Sequence, residues 1–183
     1  MRYNTHLACA LVIAVPILHV TNHLDVASIT ALSLGTLMPD IDEPQSFIGR
    51  RTAAGVSHLM NIIFGHRGMT HTICATTLVF FIGILISKWG LLPYYSTTAF
   101  TLGYFLHILA DSFSKSGVPW LLPFSKKKYK SGFGVMYYTT GSIVEHLIFI
   151  CMVGLLGVMV YMLKIEMNLD LHQVIRNVTL TLR

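Results

Sequence analysis

Ser142–Leu163 reads SIVEHLIFICMVGLLGVMVYML, an apolar run in which Glu145 is the single acid. At about 1.5 Å per helical residue, a run of this length crosses a hydrocarbon core of about 30 Å. Four more apolar runs precede it: Leu7–Val20, Val26–Met38, His71–Lys88 and Tyr95–Ala110. The whole chain is 54% hydrophobic and 11% charged, with mean hydropathy +0.64. Soluble domains carry about 25% charged residues. The expected fold is therefore all-α: a polytopic membrane helical bundle of about five hydrophobic helices, forming one domain over residues 1–183.

The third and fifth runs are long enough to span. The first two are short and joined by TNHLD at 21–25, so they form a hairpin that either spans a thinned bilayer or re-enters. Pro16 should kink the first helix, and Pro39 follows the second where a helix commonly stops. No small-residue cleavage site follows the first run, so no cleavable signal peptide is expected. Cys9, Cys74 and Cys151 lie inside apolar runs without CxxC spacing, so neither a thiolate zinc site nor a disulfide framework is suggested.

The polar residues are distributed unevenly along these runs. His6 precedes the first, and Asp40 and Asp42 close the second. His66 and His71 open the third, His107 and Asp111 end the fourth, and Glu145 opens the fifth. If successive runs alternate in direction, all of these residues fall at one end of the bundle. Arg2, Arg50, Arg51, Arg67, Lys115, Lys126, Lys127, Lys128 and Lys130 fall at the same end, against Lys88, Lys164, Arg176 and Arg183 at the other. Basic residues favour the cytoplasmic side, so the N-terminus and the polar cluster are expected there. The formal net charge of +5 reads as topology, and no nucleic-acid partner is expected.

His107 and Asp111 are four residues apart, so a helix places both on one face. Uncompensated polar groups at the end of an apolar helix are costly and tend to be functional. Asp40 and Asp42 flank Ile41, and in an extended segment both carboxylates point the same way. Asp40 is the favoured ligand, with a possible bridging role between two metals. Asp42 is either a ligand, an orienting residue or a base. In the stretch GHRGMTH at 65–71, Thr70 is expected to cap the third helix, which places His71 in its first turn. Arg67 beside a helix N-terminus suits a phosphate. His6 either ligates or caps. Glu145 is a ligand, a base or a membrane-interface residue. His58 is expected on a short interfacial helix, while His19 and His23 lie at the opposite end.

Imidazole and carboxylate donors without thiolate suit zinc, manganese or iron, with zinc favoured. His6, Asp40, His66, His71, His107 and Asp111 exceed the needs of one tetrahedral ion, so two ions are expected. Such a pair generates hydroxide at neutral pH and clamps phosphoester oxygens. The expected function is a membrane-bound metal-dependent hydrolase. It is read as a phosphoesterase acting on a lipid or amphiphilic phosphate, with Arg67 stabilising phosphoryl oxygens and Asp42 or Glu145 as base. The alternative is a non-catalytic metal-binding membrane protein, either a sensor or a structural stress-response partner. Transport would want polar residues along the bilayer midplane, and here they gather at one end. The serine-hydrolase signature GxSxG is absent.

TH at 5–6, PDID at 39–42, GHRGMTH at 65–71, HILAD at 107–111 and SGVPWLLPF at 116–124 together resemble the YdjM-like family of LexA-regulated inner-membrane proteins, which are named as metal-dependent hydrolases. The resemblance implies a bacterial inner-membrane protein, metal dependence and a link to the SOS response to DNA damage. More distantly, the order His, Asp, His, HxxxD, Glu is similar to zinc-dependent phospholipase C and zinc-dependent single-strand nucleases. That likeness would make His6, Asp40, His66 or His71, His107, Asp111 and Glu145 ligands. The chain departs from that group in having Gly141 where an HxxxE pair would need histidine, and in starting Met-Arg.

Overall fold

The structure, a computed structural model, describes residues 1–51, 55–64, 67–130 and 137–181. Among these residues the regular structure is helical, with isolated bridges at Ser114–Tyr138 and Val118–Tyr129. The α-helices are α1 (Tyr3–Val20), α2 (Val26–Leu37), α3 (Val56–Phe64), α4 (Ile73–Lys88), α5 (Tyr94–Ser112) and α6 (Ile143–Thr181). The all-α expectation holds, and α3 is the short helix expected around His58.

Local chemistry sets several boundaries. Asp25 caps α2 by accepting from the Ser28 N–H at 2.7 Å. α1 runs through Pro16 to Val20. The cap of α4 is Thr72, which accepts from the Ala75 N–H at 3.0 Å, and not Thr70 as the sequence suggested. The Thr70 hydroxyl donates instead to buried Asp42. As a result Met69–His71 closes a tight 3₁₀ turn ahead of the helix. Met38–Asp42 is likewise a 3₁₀ turn, with Pro39 in its first positions. The expected extended segment is therefore absent there, and the two aspartates diverge.

Pairwise contacts fix the helix directions. His6 stacks on His107 with ring centroids 3.8 Å apart, and His23 stacks on Tyr95 at 4.7 Å, so α1 and α5 are antiparallel. Ser87 meets Thr97 at 2.7 Å and Tyr104 donates to the Thr70 carbonyl at 2.6 Å, so α4 also opposes α5. α2 runs with α5. A Cβ on Gly35 would collide with the Phe100 carbonyl, and one on Gly103 with the Leu32 carbonyl, so these backbones touch. Arg2 meets Glu145, and His19 lies 3.2 Å from Glu166, so α1 and α6 are parallel. The alternation of α1, α2, α4, α5 and α6 gathers the ends that carry His6, Asp40, His71, His107 and Glu145.

The core beneath that end is built from small and aliphatic side chains: Ala10, Ala14, Leu18, Leu32, Ala99 and Leu106. Two helices among the described residues are long and apolar enough to cross a membrane, α1 and the Ile143–Glu166 part of α6. The lengths differ from those read in the sequence. α1 gains a turn by starting at Tyr3, whereas α4 is a shorter apolar helix of 16 residues because His71 and Thr72 lie outside it. α6 continues well past Leu163.

Candidate metal centre

Five of the sequence-derived ligands converge. His6, His107 and Asp111 form one group and Asp40, His71 and His107 a second, with the donor atoms of each group within 4.8 Å of one another. The four helix ends supply them from different directions: His6 from the first turn of α1, Asp40 from the 38–42 turn, His71 from the 69–71 turn, and His107 and Asp111 from the last turns of α5. His6, His71, His107 and Asp111 are all buried, and Asp40 is the member that reaches the surface.

Hydrogen bonds fix the donors. The Nδ1–H of His107 donates to the Thr36 carbonyl at 2.7 Å, which leaves a lone pair on Nε2. That Nε2 lies 3.5 Å from Asp40 Oδ1 and makes no hydrogen bond. Both nitrogens of His6 also lack hydrogen-bond partners, although its Nε2 lies 3.3 Å from Asp111 Oδ1. The Nε2 lone pair of His107, facing the Asp40 carboxylate in a buried space, is repelled unless a cation lies between them. The donor set thus fits a divalent cation, and the orphaned imidazole nitrogens are what such an ion would satisfy. One nitrogen holds one ion, so Nε2 of His107 can serve only one of the two groups at a time.

Electrostatics favour the ligating protonation states outside the long helices. Burial opposes the charge of Asp40, but the imidazoles of His107, His6 and His71 around it win, and its carboxyl stays well below the usual carboxylate range. Burial pushes the His71 imidazole down against the raising effect of Asp42, so it is neutral at neutral pH.

Asp42 and Arg67 stand behind the ligands. Asp42 accepts from the Arg67 N–H at 3.1 Å and from the Thr70 hydroxyl, and its Oδ2 lies 3.3 Å from His71 Nδ1. This is the carboxylate–histidine arrangement that orients a metal-binding imidazole. Asn61 in turn holds the Asp42 carbonyl at 2.8 Å. Arg67 has φ +57°, and its Nη2 pairs with Asp111 Oδ2 at 2.7 Å. Its Nη1 donates to Ser114 at 2.7 Å and to Ser116.

Glu145 is buried but belongs to neither group. Its carboxylate accepts from the Gly141 and Arg2 backbone N–H groups, and its own N–H reaches Ser142 Oγ at 3.3 Å. It ties the start of α6 to the start of α1. Only the serine half of an S-x-x-E capping box forms, since the Glu145 carboxylate goes to Gly141 and Arg2 and the Ser142 N–H to the Thr139 carbonyl. His66 lies outside the described residues.

Four contributors escaped sequence reasoning. The Thr36 carbonyl orients His107 and leaves no residue-type signal, because any residue there would offer a carbonyl. Tyr138 donates to Asp111 Oδ1 and to the Ala110 carbonyl, both at 3.1 Å. Burial pushes its hydroxyl pKa up, so it stays a donor. Ser114 and Ser116 sit just past HILAD, where their spacing from Asp111 was the available clue.

A family model described as "YdjM inner membrane protein" matches residues 1–169. The inner membrane protein YdjM of Escherichia coli K12 is 38% identical over 91 residues, 49% of this chain and 46% of that protein; YdjM of Shigella flexneri matches equally. The chain thus spans about half the length of these curated relatives. The uncharacterized protein YvsG of Bacillus subtilis is 29% identical over 117 residues, 63% of this chain and 67% of that protein. No solved structure matches the chain.

Proposed function

We propose that this chain, which belongs to the YdjM inner membrane protein family, is a metal-dependent hydrolase of the bacterial inner membrane. It acts as a phosphoesterase on a lipid or amphiphilic phosphate. The observation that carries this reading is the convergence of three histidines and two aspartates from four helix ends, with both nitrogens of His6 and Nε2 of His107 left without hydrogen bonds. Zinc suits this set best, with manganese or iron as alternatives. One ion would use His107 Nε2, and a second would draw on the remaining group. Bound there, divalent metal supplies Lewis acidity and activates water at neutral pH.

The chain's own residues have separable tasks in this reading. His6, His71, His107, Asp40 and Asp111 hold the metal, with Asp40 nearest to solvent as the candidate bridge. Asp42 positions His71. Arg67 holds Asp111 and presents its guanidinium edge toward phosphoryl oxygens. Glu145, committed to two backbone N–H groups, supports the site by fixing α6 against α1.

The bundle is read as multi-pass, with α1, α2, α4, α5 and α6 all membrane-embedded and the first two forming a short or re-entrant hairpin. With Arg67 set aside as a site residue, eight basic residues remain near the polar end against four at the other. That supports a cytoplasmic N-terminus and a cytoplasmic site. Induction with the SOS response is carried by the family resemblance alone.

The enclosure of four of the five ligands favours a second reading, a non-catalytic metal-binding membrane protein. Phosphate release from phosphatidic acid in proteoliposomes loaded with zinc or manganese separates the two. The hydrolase reading expects turnover that chelator removes and that His107→Ala abolishes. Stoichiometric metal with no turnover on any lipid or alkyl phosphate would contradict it in favour of the second reading.

A further inference from the structure

Two cavities share Tyr138 as a lining residue, and Tyr138 donates to the candidate ligand Asp111. One, of about 480 Å³, is polar and cationic, bounded by Arg67, Ser114, Ser116, Lys115 and Lys128. The other, of about 530 Å³, is apolar and lies between α1, α5 and α6, against Cys9, Ile13, Leu109, Val144, Ile148 and Met152. Arg67 connects the first cavity to the ligands through its 2.7 Å contact with Asp111. Its side chain is nine-tenths buried, yet Nε makes no hydrogen bond. A buried guanidinium N–H without an acceptor, beside two lysines and two serine hydroxyls, calls for an anionic oxygen. Ile13, Val144 and Ile148 give the second cavity walls that suit a hydrocarbon chain and no polar group.

We propose that these cavities form one divided site for a membrane lipid carrying a phosphate ester. The phosphate sits in the Arg67–Ser116–Lys128 cavity and one apolar chain lies in the α1–α5–α6 groove, with Tyr138 as the divider. This rests on the phosphoesterase reading and assigns the headgroup and the chain of its substrate to separate subsites. The apolar walls continue into the exposed faces of α1 and α6, where Ile17, Leu147 and Ile150 point outward, so a chain enters sideways from lipid. The charge of the other cavity selects a phosphate over a neutral headgroup.

The test uses the full chain in nanodiscs of phosphatidylcholine, with an alkyl phosphate carrying a photoreactive diazirine at mid-chain. Adducts are expected on the Cys9–Ile13 and Ile148–Met152 segments. They should be competed by unlabelled alkyl phosphate but not by the alcohol of the same chain length. Lys128→Glu, a reversal at an exposed position, should reduce labelling about tenfold with metal content unchanged. Ile13→Trp should reduce groove labelling while leaving inorganic phosphate binding intact. Equal competition by the alcohol, or wild-type labelling in Lys128→Glu, would overturn the divided site. Metal content measured on the same samples distinguishes that outcome from failure of the metal centre itself.

Discussion

α5 and α6 are both apolar helices, yet they do opposite jobs. α5 buries ten of its 19 residues, including both ligands and the Gly103 contact with α2. In the most apolar 18-residue window of the Ile143–Glu166 span of α6, only 6% of the residues are buried, against 39% in α1. Leu147, Ile150, Val158 and Tyr161 of α6 all project outward. Overall apolarity does not separate these helices. The difference lies in where the small residues fall: Ala99 and Gly103 let α5 approach its neighbours closely, whereas Gly154 and Gly157 of α6 face open space. A helix that must hold ligands in register is packed on several sides. α6, which only needs an apolar exterior, packs chiefly on α1 among the described residues and leaves the rest of its surface exposed.

The contrast predicts its own largest break. Gly103→Leu would drive a side chain into the Leu32 carbonyl and the Thr36 backbone, next to the carbonyl that orients His107. It should cost about 3 kcal/mol or more and lower the detergent melting temperature together with metal content. The matched change in α6, Gly154→Leu, places its Cβ where nothing lies within 4 Å. It should be neutral or stabilising by up to about 1 kcal/mol. Equal losses in the two variants would remove the distinction between a packed and a lipid-facing helix.

A smaller effect is expected at Asp42→Asn. The amide keeps the volume but loses the charge that orients His71, so metal affinity should fall about tenfold to a hundredfold while the helices remain. A competition titration with a chromophoric chelator reads this directly, and unchanged affinity would remove Asp42 from the support of His71. Smaller still is Glu145→Gln. It weakens the hydrogen bonds to the Arg2 and Gly141 N–H groups and should cost about 1 kcal/mol of stability, with metal stoichiometry retained. Metal loss there at unchanged stability would make Glu145 a ligand after all.

Much of this arrangement was legible because direction and position are sequence properties. Once successive apolar runs alternate, His6, Asp40, His71 and the His107–Asp111 pair must share an end, whatever the side-chain details. HxxxD fixes a common helix face in the same way. The 3₁₀ turns at 38–42 and 69–71 were not legible, since they depend on tertiary hydrogen bonds. Thr70 could have capped α4, but buried Asp42 recruits its hydroxyl, and the helix starts two residues late. Glu145 read by position as a ligand, a base or a membrane-interface residue, and its engagement by backbone N–H groups follows from how closely α1 and α6 start together. The groove beside Tyr138 depends on three helices at once and has no local signature.

The central claim is that the converging imidazoles and carboxylates hold metal. Plasma mass spectrometry on detergent-purified protein, beside a His107→Ala, Asp111→Ala double variant, tests it most directly. About one to two equivalents of zinc or manganese in the wild type, lost in a variant that keeps its helical circular dichroism, is the predicted result. Absence of metal from the wild type after reconstitution, or equal metal in both proteins, would contradict it.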